Sequence, residues 1–234
     1  MFKNILSIFA IPTDDGYGGV VYDLTTVGYV ALVIGMFAIL LVAAAITKRL
    51  TNKTARISIH QLAYSAMAIA LAAAATMIPM PRMPMGGHIT PFSLLIIALI
   101  GYWFGLSGGI ACGVAFGILL LLLDPYILSL PQMLCDYVFA FGALGLSGIF
   151  SKNSSVLPGY LIAVTGRYIF AVLSGVIFFA SYAPESGILS NAWLYSIVYN
   201  IIYIGTEAAL TVAILQIPAF RSAINTVGNA AMKE

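Results

Sequence analysis

The chain has 234 residues, of which 62% are hydrophobic and 8% charged, with a net charge of +2 and a mean hydropathy of +1.04. A soluble domain carries about 25% charged residues, so this composition excludes a soluble globular protein and marks an integral membrane protein. The near-neutral balance gives no basis for a nucleic-acid partner.

The N-terminal segment, residues 1–26, contains a short apolar run at 5–11 followed by Asp14 and Asp15. That pattern does not match a cleaved signal peptide. A helix needs roughly 20 apolar residues to cross about 30 Å of hydrocarbon, and seven segments are candidates. Residues 27–46 form the first, free of charge, inside an extra helix assigned to 27–47. The basic linker 48–57 carries Lys48, Arg49, Lys53 and Arg56. Residues 58–78 are alanine-rich and stop at Pro79, Pro81 and Pro84, which cannot continue a helix. The third and fourth segments, 91–104 and 110–123, are joined by a tight turn at 105–109. They are too short to stand upright, so one is expected to be broken or to fall short of crossing. The fifth starts at Pro131, a good first-turn residue, and runs to 150. The sixth and seventh cover 157–182 and 191–217. The predicted architecture is an all-α membrane protein: a six-helix domain over 58–220, preceded by one extra helix and followed by a tail at 221–234. Cys112 and Cys135 lie in apolar runs and read as small core residues.

Loop cations set the orientation. With simple alternation, Lys48, Arg49, Lys53, Arg56, Lys152, Arg221 and Lys233 share one side, against Lys3 and Arg82 on the other. The cation-rich side is then cytoplasmic, with the N-terminus outside and the C-terminus inside.

On that orientation Asp136 lies about 7 Å inside the outer end of the fifth segment, at 1.5 Å per residue. Tyr137 is beside it and Gln132 one turn before it. Tyr126, Phe178, Phe179, Tyr182, Trp193, Tyr195, Tyr199 and Asn200 fall in the same outer third. A carboxylate, amides and aromatic rings at one depth suit a flat, polar, cationic molecule, and ionisable groups inside a membrane are functional candidates. A structural alternative stands for each. Tyr182, Trp193 and Tyr203 fit interface anchors, Asp136 fits a solvated helix start, and Asn200 fits an interhelical bond. Deeper in, Arg167 and Glu207 share a level and are expected to form a structural ion pair. Ala66, Ala70 and Ala74 recur every fourth residue, with Ala68 and Ala72 as a parallel row. Such rows allow close helix approach, either within the bundle or against a partner subunit. There is no P-loop, no HExxH motif, no Cys/His cluster and no nucleophile–base set. No enzyme activity, metal or cofactor is expected, and His88 reads as a loop residue.

Four stretches together resemble one family: GGHITPFSLL at 86–95, DPYILSLPQMLCDYVFAFGALGLSGIF at 124–150, GRYIFAVLSGVIFFASYAPE at 166–185, and AWLYSIVYN at 192–200. The chain from about residue 60 to 218 is similar to the thiamine-specific substrate-binding (S) components of energy-coupling factor (ECF) transporters. The resemblance implies a six-helix bacterial cell-membrane protein that takes its vitamin near the outer face. It would then dock on a membrane scaffold subunit carrying two ATPases. Residue by residue, it implies a pocket of Asp136, Tyr137, Tyr126, Phe179, Tyr195 and Asn200, and scaffold docking through Ala66, Ala70 and Ala74. Where the family usually has a histidine, this chain has Ala171. The implied function is capture of thiamine. Asp136 would balance the cationic ring or bond the aminopyrimidine, Phe179 and the tyrosines would stack, and Asn200 would bond the heterocycle. The alternatives are an S component for a related heterocycle, a solitary ion-coupled carrier using Asp136 or Glu207, and a ligand-free membrane scaffold.

Overall fold

The computed structural model describes residues 7–14, 20–31, 34, 58–80, 82–151 and 155–233. Most of the extra helix expected at 27–47, the whole linker 48–57, and Lys3 and Lys152 lie outside the described residues. Backbone is helical over residues 26–31.

One element departs from the all-α expectation. Strands β1 (Ala10–Asp14) and β2 (Val20–Leu24) pair antiparallel, with Ala10 opposite Leu24 and Pro12 opposite Tyr22. Ile11, Thr13, Val20, Val21 and Tyr22 are residue types that favour a pleated strand. Leu24 packs on a small cluster of Leu121, Ile127 and Met133.

The membrane body has helices α1 (Ile59–Thr76), α2 (Ser93–Phe104), α3 (Leu106–Leu123), α4 (Leu130–Phe150), α5 (Val156–Phe178) and α6 (Ala192–Leu215). Five of these are long and apolar enough to cross a membrane, and α2 is the shorter sixth. This is a multi-pass membrane protein. Three of the starts, those of α1, α4 and α6, follow local side-chain chemistry. Ser58 Oγ accepts from Gln61 N at 3.0 Å, and Ser129 Oγ from Gln132 N at 3.3 Å just before Pro131. Asn191 Oδ1 accepts from Trp193 N and Leu194 N at 2.9 and 3.2 Å. These are side-chain caps for N–H groups that the helix itself cannot satisfy.

The turn expected over 105–109 shrinks to one residue. Gly105 adopts φ 87°, a conformation glycine reaches at no steric cost, and α3 begins at once with Leu106. As a result α3 has 18 residues and is long enough to cross. The broken member is α2. It starts after Phe92, which holds a left-handed φ of 62° and offers no side-chain cap.

Helix α4 is not uniform. It is α-helical over Leu130–Met133, π-helical over Leu134–Phe139 and 3₁₀ over Ala143–Phe150. Helix α6 has a second π segment, Ile201–Gly205. One inserted residue rotates the following side chains by about 100°. Close packing accompanies these irregularities: a Cβ at Gly117 would stand 1.8 Å from the Tyr137 carbonyl oxygen. The core joins Leu94, Leu95, Ile97 and Ile100 of α2 to Phe116, Leu144 and Tyr160. Leu62, Leu71, Phe139, Ile169 and Ile177 stay exposed, as expected of side chains that meet lipid.

The alanine rows separate. Ala68 and Ala72 are buried in the bundle, whereas Ala66, Ala70 and Ala74 are exposed on the opposite side of α1. The segment expected as a tail at 221–234 is mostly a helix, α7 (Pro218–Ala231). Its buried face carries Ile224, Gly228 and Ala231, and Gly228 sits against Trp103. Cys112 and Cys135 are both free thiols.

Candidate functional site

A cavity of about 650 Å³ opens among α2, α4, α5 and α6, beneath the loop that joins α1 to α2. All six residues singled out from the sequence line it: Asp136, Tyr137, Tyr126, Phe179, Tyr195 and Asn200. Arg167, Ala171, Glu207 and His88 line it as well. The volume lies inside the usual range of about 300–1,000 Å³ for small-molecule sites.

Asp136 stands on the π segment of α4. Its Oδ2 accepts from Gln132 Nε2 at 2.6 Å. Gln132 is almost fully buried; its Oε1 accepts from Leu128 N at 3.0 Å and its Nε2 also reaches Tyr126 O at 3.2 Å. The carboxylate is thereby oriented, with one oxygen engaged by an amide that is itself fixed. The Tyr137 hydroxyl is spent on the loop: it accepts from Tyr126 N at 2.9 Å and donates to Asp124 O at 3.2 Å. Its contribution to the cavity is therefore the ring, and its hydroxyl positions Tyr126. The Tyr126 and Phe179 rings stack with centroids 5.9 Å apart and planes at 21°, and Phe179 also meets Tyr182 at 5.9 Å.

On α6 the rings of Tyr195, Tyr199 and Tyr203 follow one another at i, i+4 spacing, 6.1 and 5.8 Å apart. Asn200 is buried between them and α5. Its Nδ2 donates to Ser196 O at 2.8 Å, and its Oδ1 accepts from Tyr203 Oη at 2.9 Å. Nδ2 also donates to Ala171 O of α5 at 3.4 Å, the interhelical bond that was one of its two sequence alternatives. Trp193 is more than half exposed, as an interface anchor would be.

The expected Arg167–Glu207 pair is not formed. Glu207, 3% exposed, accepts from Leu94 N at 2.9 Å, Thr90 Oγ1 at 2.6 Å and Ser93 Oγ at 3.3 Å. It caps the start of α2 inside the membrane, where Phe92 provides no cap. Both side chains line the cavity, but the orphan N–H at the start of α2 is the closer partner for the carboxylate. Arg167 instead lays its guanidinium over the Phe141 ring, 3.8 Å from the centroid. Its Nε and Nη1 are buried without an acceptor from the described residues. A cation over an aromatic face retains part of the electrostatic stabilisation lost on leaving water.

Two contributors, Ser174 and His88, were missed in the sequence, and Tyr199 was read only as one of the outer-third rings. Ser174 lines the cavity with a buried Oγ, and its i+7 spacing from Arg167 on α5 was the available signal. Tyr199 fastens the 84–88 loop: its Oη donates to Pro84 O and accepts from Gly87 N at 3.0 Å. A Cβ at Gly87 would lie 2.5 Å from that Oη, so only glycine fits there without a shift. His88 follows directly, with its Nε2 buried and unpartnered among the described residues. On the solvent-exposed side of the cavity lining, Arg82 and Asp124 form an ion pair at 3.4 Å, linking the same loop to the end of α3.

Comparison with known proteins agrees with this architecture. A family model described as "Thiamine transporter protein" matches residues 62–225. The thiamine transporter ThiT of Bacillus subtilis (strain 168) is 31% identical over 136 residues, covering 52% of this chain and 69% of that protein. ThiT of Lacticaseibacillus paracasei is 28% identical over 127 residues, covering 47% of this chain and 62% of that protein. A solved structure of ThiT from Listeria monocytogenes superposes with a TM-score of 0.57 at 23% identity, covering 69% of this chain and 96% of that one, and it supports the fold. These relatives are named transporters, in keeping with the expectation that the chain is not an enzyme. With the family model matching well over half of its length, the chain belongs to the thiamine transporter protein family.

Proposed function

We propose that this protein is the substrate-capturing membrane subunit of an ECF-type transporter and that it holds thiamine in the cavity beneath the 84–88 loop. The observation that carries this is Asp136, an oriented carboxylate in a cavity walled by aromatic rings, in a chain of the thiamine transporter family. Thiamine is a cation of two flat rings, a thiazolium and an aminopyrimidine, joined by a methylene. At an effective dielectric of 20, a carboxylate 4 Å from a unit positive charge contributes about 4 kcal/mol of attraction before desolvation. The rings of Tyr126, Phe179, Tyr137 and Tyr195 add stacking and cation–π attraction. Asn200 would exchange its bond from Tyr203 for one from the heterocycle.

Capture occurs from the outer side, with the N-terminus outside and the C-terminus in the cytoplasm, as the loop cations indicate. The chain has no phosphate-binding loop, so ATP-driven release falls to a membrane scaffold subunit and two ATPases. The exposed row Ala66, Ala70 and Ala74 is the docking face, because small side chains let another helix approach closely.

Calorimetric titration of the purified protein with thiamine, beside Asp136→Ala, tests this. Removing one partner of a buried charge contact costs about 2–5 kcal/mol, so the variant should bind roughly 30-fold to several-thousand-fold more weakly. A second reading, capture of a related heterocycle, is favoured by Ala171, which gives the cavity wall a methyl group. A well-folded protein that ignores thiamine but binds another member of a vitamin and nucleobase panel would establish it. Uptake by the chain alone in vesicles, abolished by an uncoupler, would point to an ion-coupled carrier instead.

A further inference from the structure

The loop above the cavity is held in place, and it carries an unclaimed polar group. Besides its two bonds to Tyr199, it is closed by Met83 N donating to Gly87 O at 2.7 Å and by an antiparallel bridge between Arg82 and His88. These contacts fix the His88 backbone at the cavity edge. His88 Nδ1 lies 3.4 Å from Gly86 O. A carbonyl oxygen only accepts, so Nδ1 carries the proton and Nε2 is left as a bare acceptor. That Nε2 is buried and meets no donor from the described residues. A buried acceptor without a partner is destabilising, and His88 lines the same cavity as Asp136 and the methyl wall of Ala171.

We propose that His88 is a specificity-determining contact: its Nε2 accepts a hydrogen bond from an N–H or O–H group of the bound ligand. The cavity then selects a heterocycle with a donor on its loop side as well as a cation for Asp136. This rests on the thiamine reading above, since it takes the ligand to be a cation with donors.

The contact has a pH signature. Burial holds the His88 pKa below its ordinary value, with Arg82 and Arg167 acting in the same direction and the Gly86 carbonyl and Asp124 opposing. The ring is therefore neutral at pH 7. As pH falls through this lowered value Nε2 gains a proton, the acceptor becomes a donor, and a like charge faces the cationic ligand. Arg82, Asp124, Arg167 and the cavity carboxylates Asp136 and Glu207 are common to wild type and variants. Their own effects therefore cancel in the ratio of affinities.

The test is calorimetric titration of wild type, His88→Ala and His88→Gln at pH 8 and in a series of steps downward from it. The ligands are thiamine, its analogue with oxygen in place of the pyrimidine amino group, and its analogue lacking the side-chain hydroxyl. His88→Ala should bind thiamine about 5- to 10-fold more weakly at pH 8, one ordinary hydrogen bond. His88→Gln, which keeps an acceptor oxygen, should recover most of that. The difference between wild type and His88→Ala should shrink as the pH falls through the lowered value, and should vanish at pH 8 with one of the two analogues. Equal affinity of wild type and His88→Ala, or the same loss with all three ligands, overturns the proposal while leaving the thiamine reading intact. Absence of thiamine binding by folded wild type overturns both.

Discussion

Glu207→Ala tests the account of why α2 can begin inside the membrane. The carboxylate accepts from Leu94 N at 2.9 Å and Thr90 Oγ1 at 2.6 Å, with Ser93 Oγ at a longer 3.3 Å. Hydrogen bonds to a charged group contribute about 1.5–3 kcal/mol each, so losing the two shorter ones costs about 3–6 kcal/mol. At this chain length each kcal/mol moves the Tm by about 2–4 °C, which gives a fall of roughly 6–24 °C. Glu207→Gln should cost less than half as much, because its carbonyl still accepts from Leu94 N and the two hydroxyls can turn to meet the amide. The assay is thermal unfolding in detergent, followed by intrinsic fluorescence and by recovery of monodisperse protein. Arg167→Met belongs in the same series. The two side chains make no hydrogen bond or ion pair and feel each other only through the cavity, so the coupling in the double variant should stay below about 1.5 kcal/mol. A Glu207→Ala shift below 2 °C would refute the capping argument. A coupling above about 1.5 kcal/mol would restore the ion pair expected from the sequence.

Further outcomes follow from the loop and from α1. Gly87→Ala places a Cβ 2.5 Å from Tyr199 Oη, so the loop must shift. Thiamine affinity should fall while the Tm changes little, and unchanged affinity in a titration would mean that the 84–88 loop does not shape the site. Ala72 is fully buried, and Ala72→Leu should cost about 1–3 kcal/mol by overpacking, seen as a lower Tm. Ala70 is exposed on the other side of α1, so Ala70→Leu should leave stability within about 0.5 kcal/mol and thiamine binding intact. It should lower ATP-dependent uptake by the assembled transporter in vesicles, and full uptake would remove this row from the docking face.

Sequence alone determined the membrane class, the six body spans to within a few residues, and the residues that meet at the cavity. The physical reason is that these are local or one-dimensional properties. Hydropathy over about 20 residues sets a span, Ser58, Ser129, Asn191 and the prolines set its ends, and rise per residue puts Asp136, Phe179, Tyr195 and Asn200 at one depth. Tertiary structure decided what each polar group does at that depth. Two alanine rows on α1 have equal small size, and only the neighbouring helices choose Ala68 and Ala72 for the core. Glu207 had an arginine at its level, but the unsatisfied N–H of Leu94 exists only once the chain breaks at Phe92. The π segments turn Asp136 and Tyr203 by an amount no 3.6-residue period contains. His88 reads as a loop residue until Tyr199, more than a hundred residues later in the chain, pins that loop over the cavity.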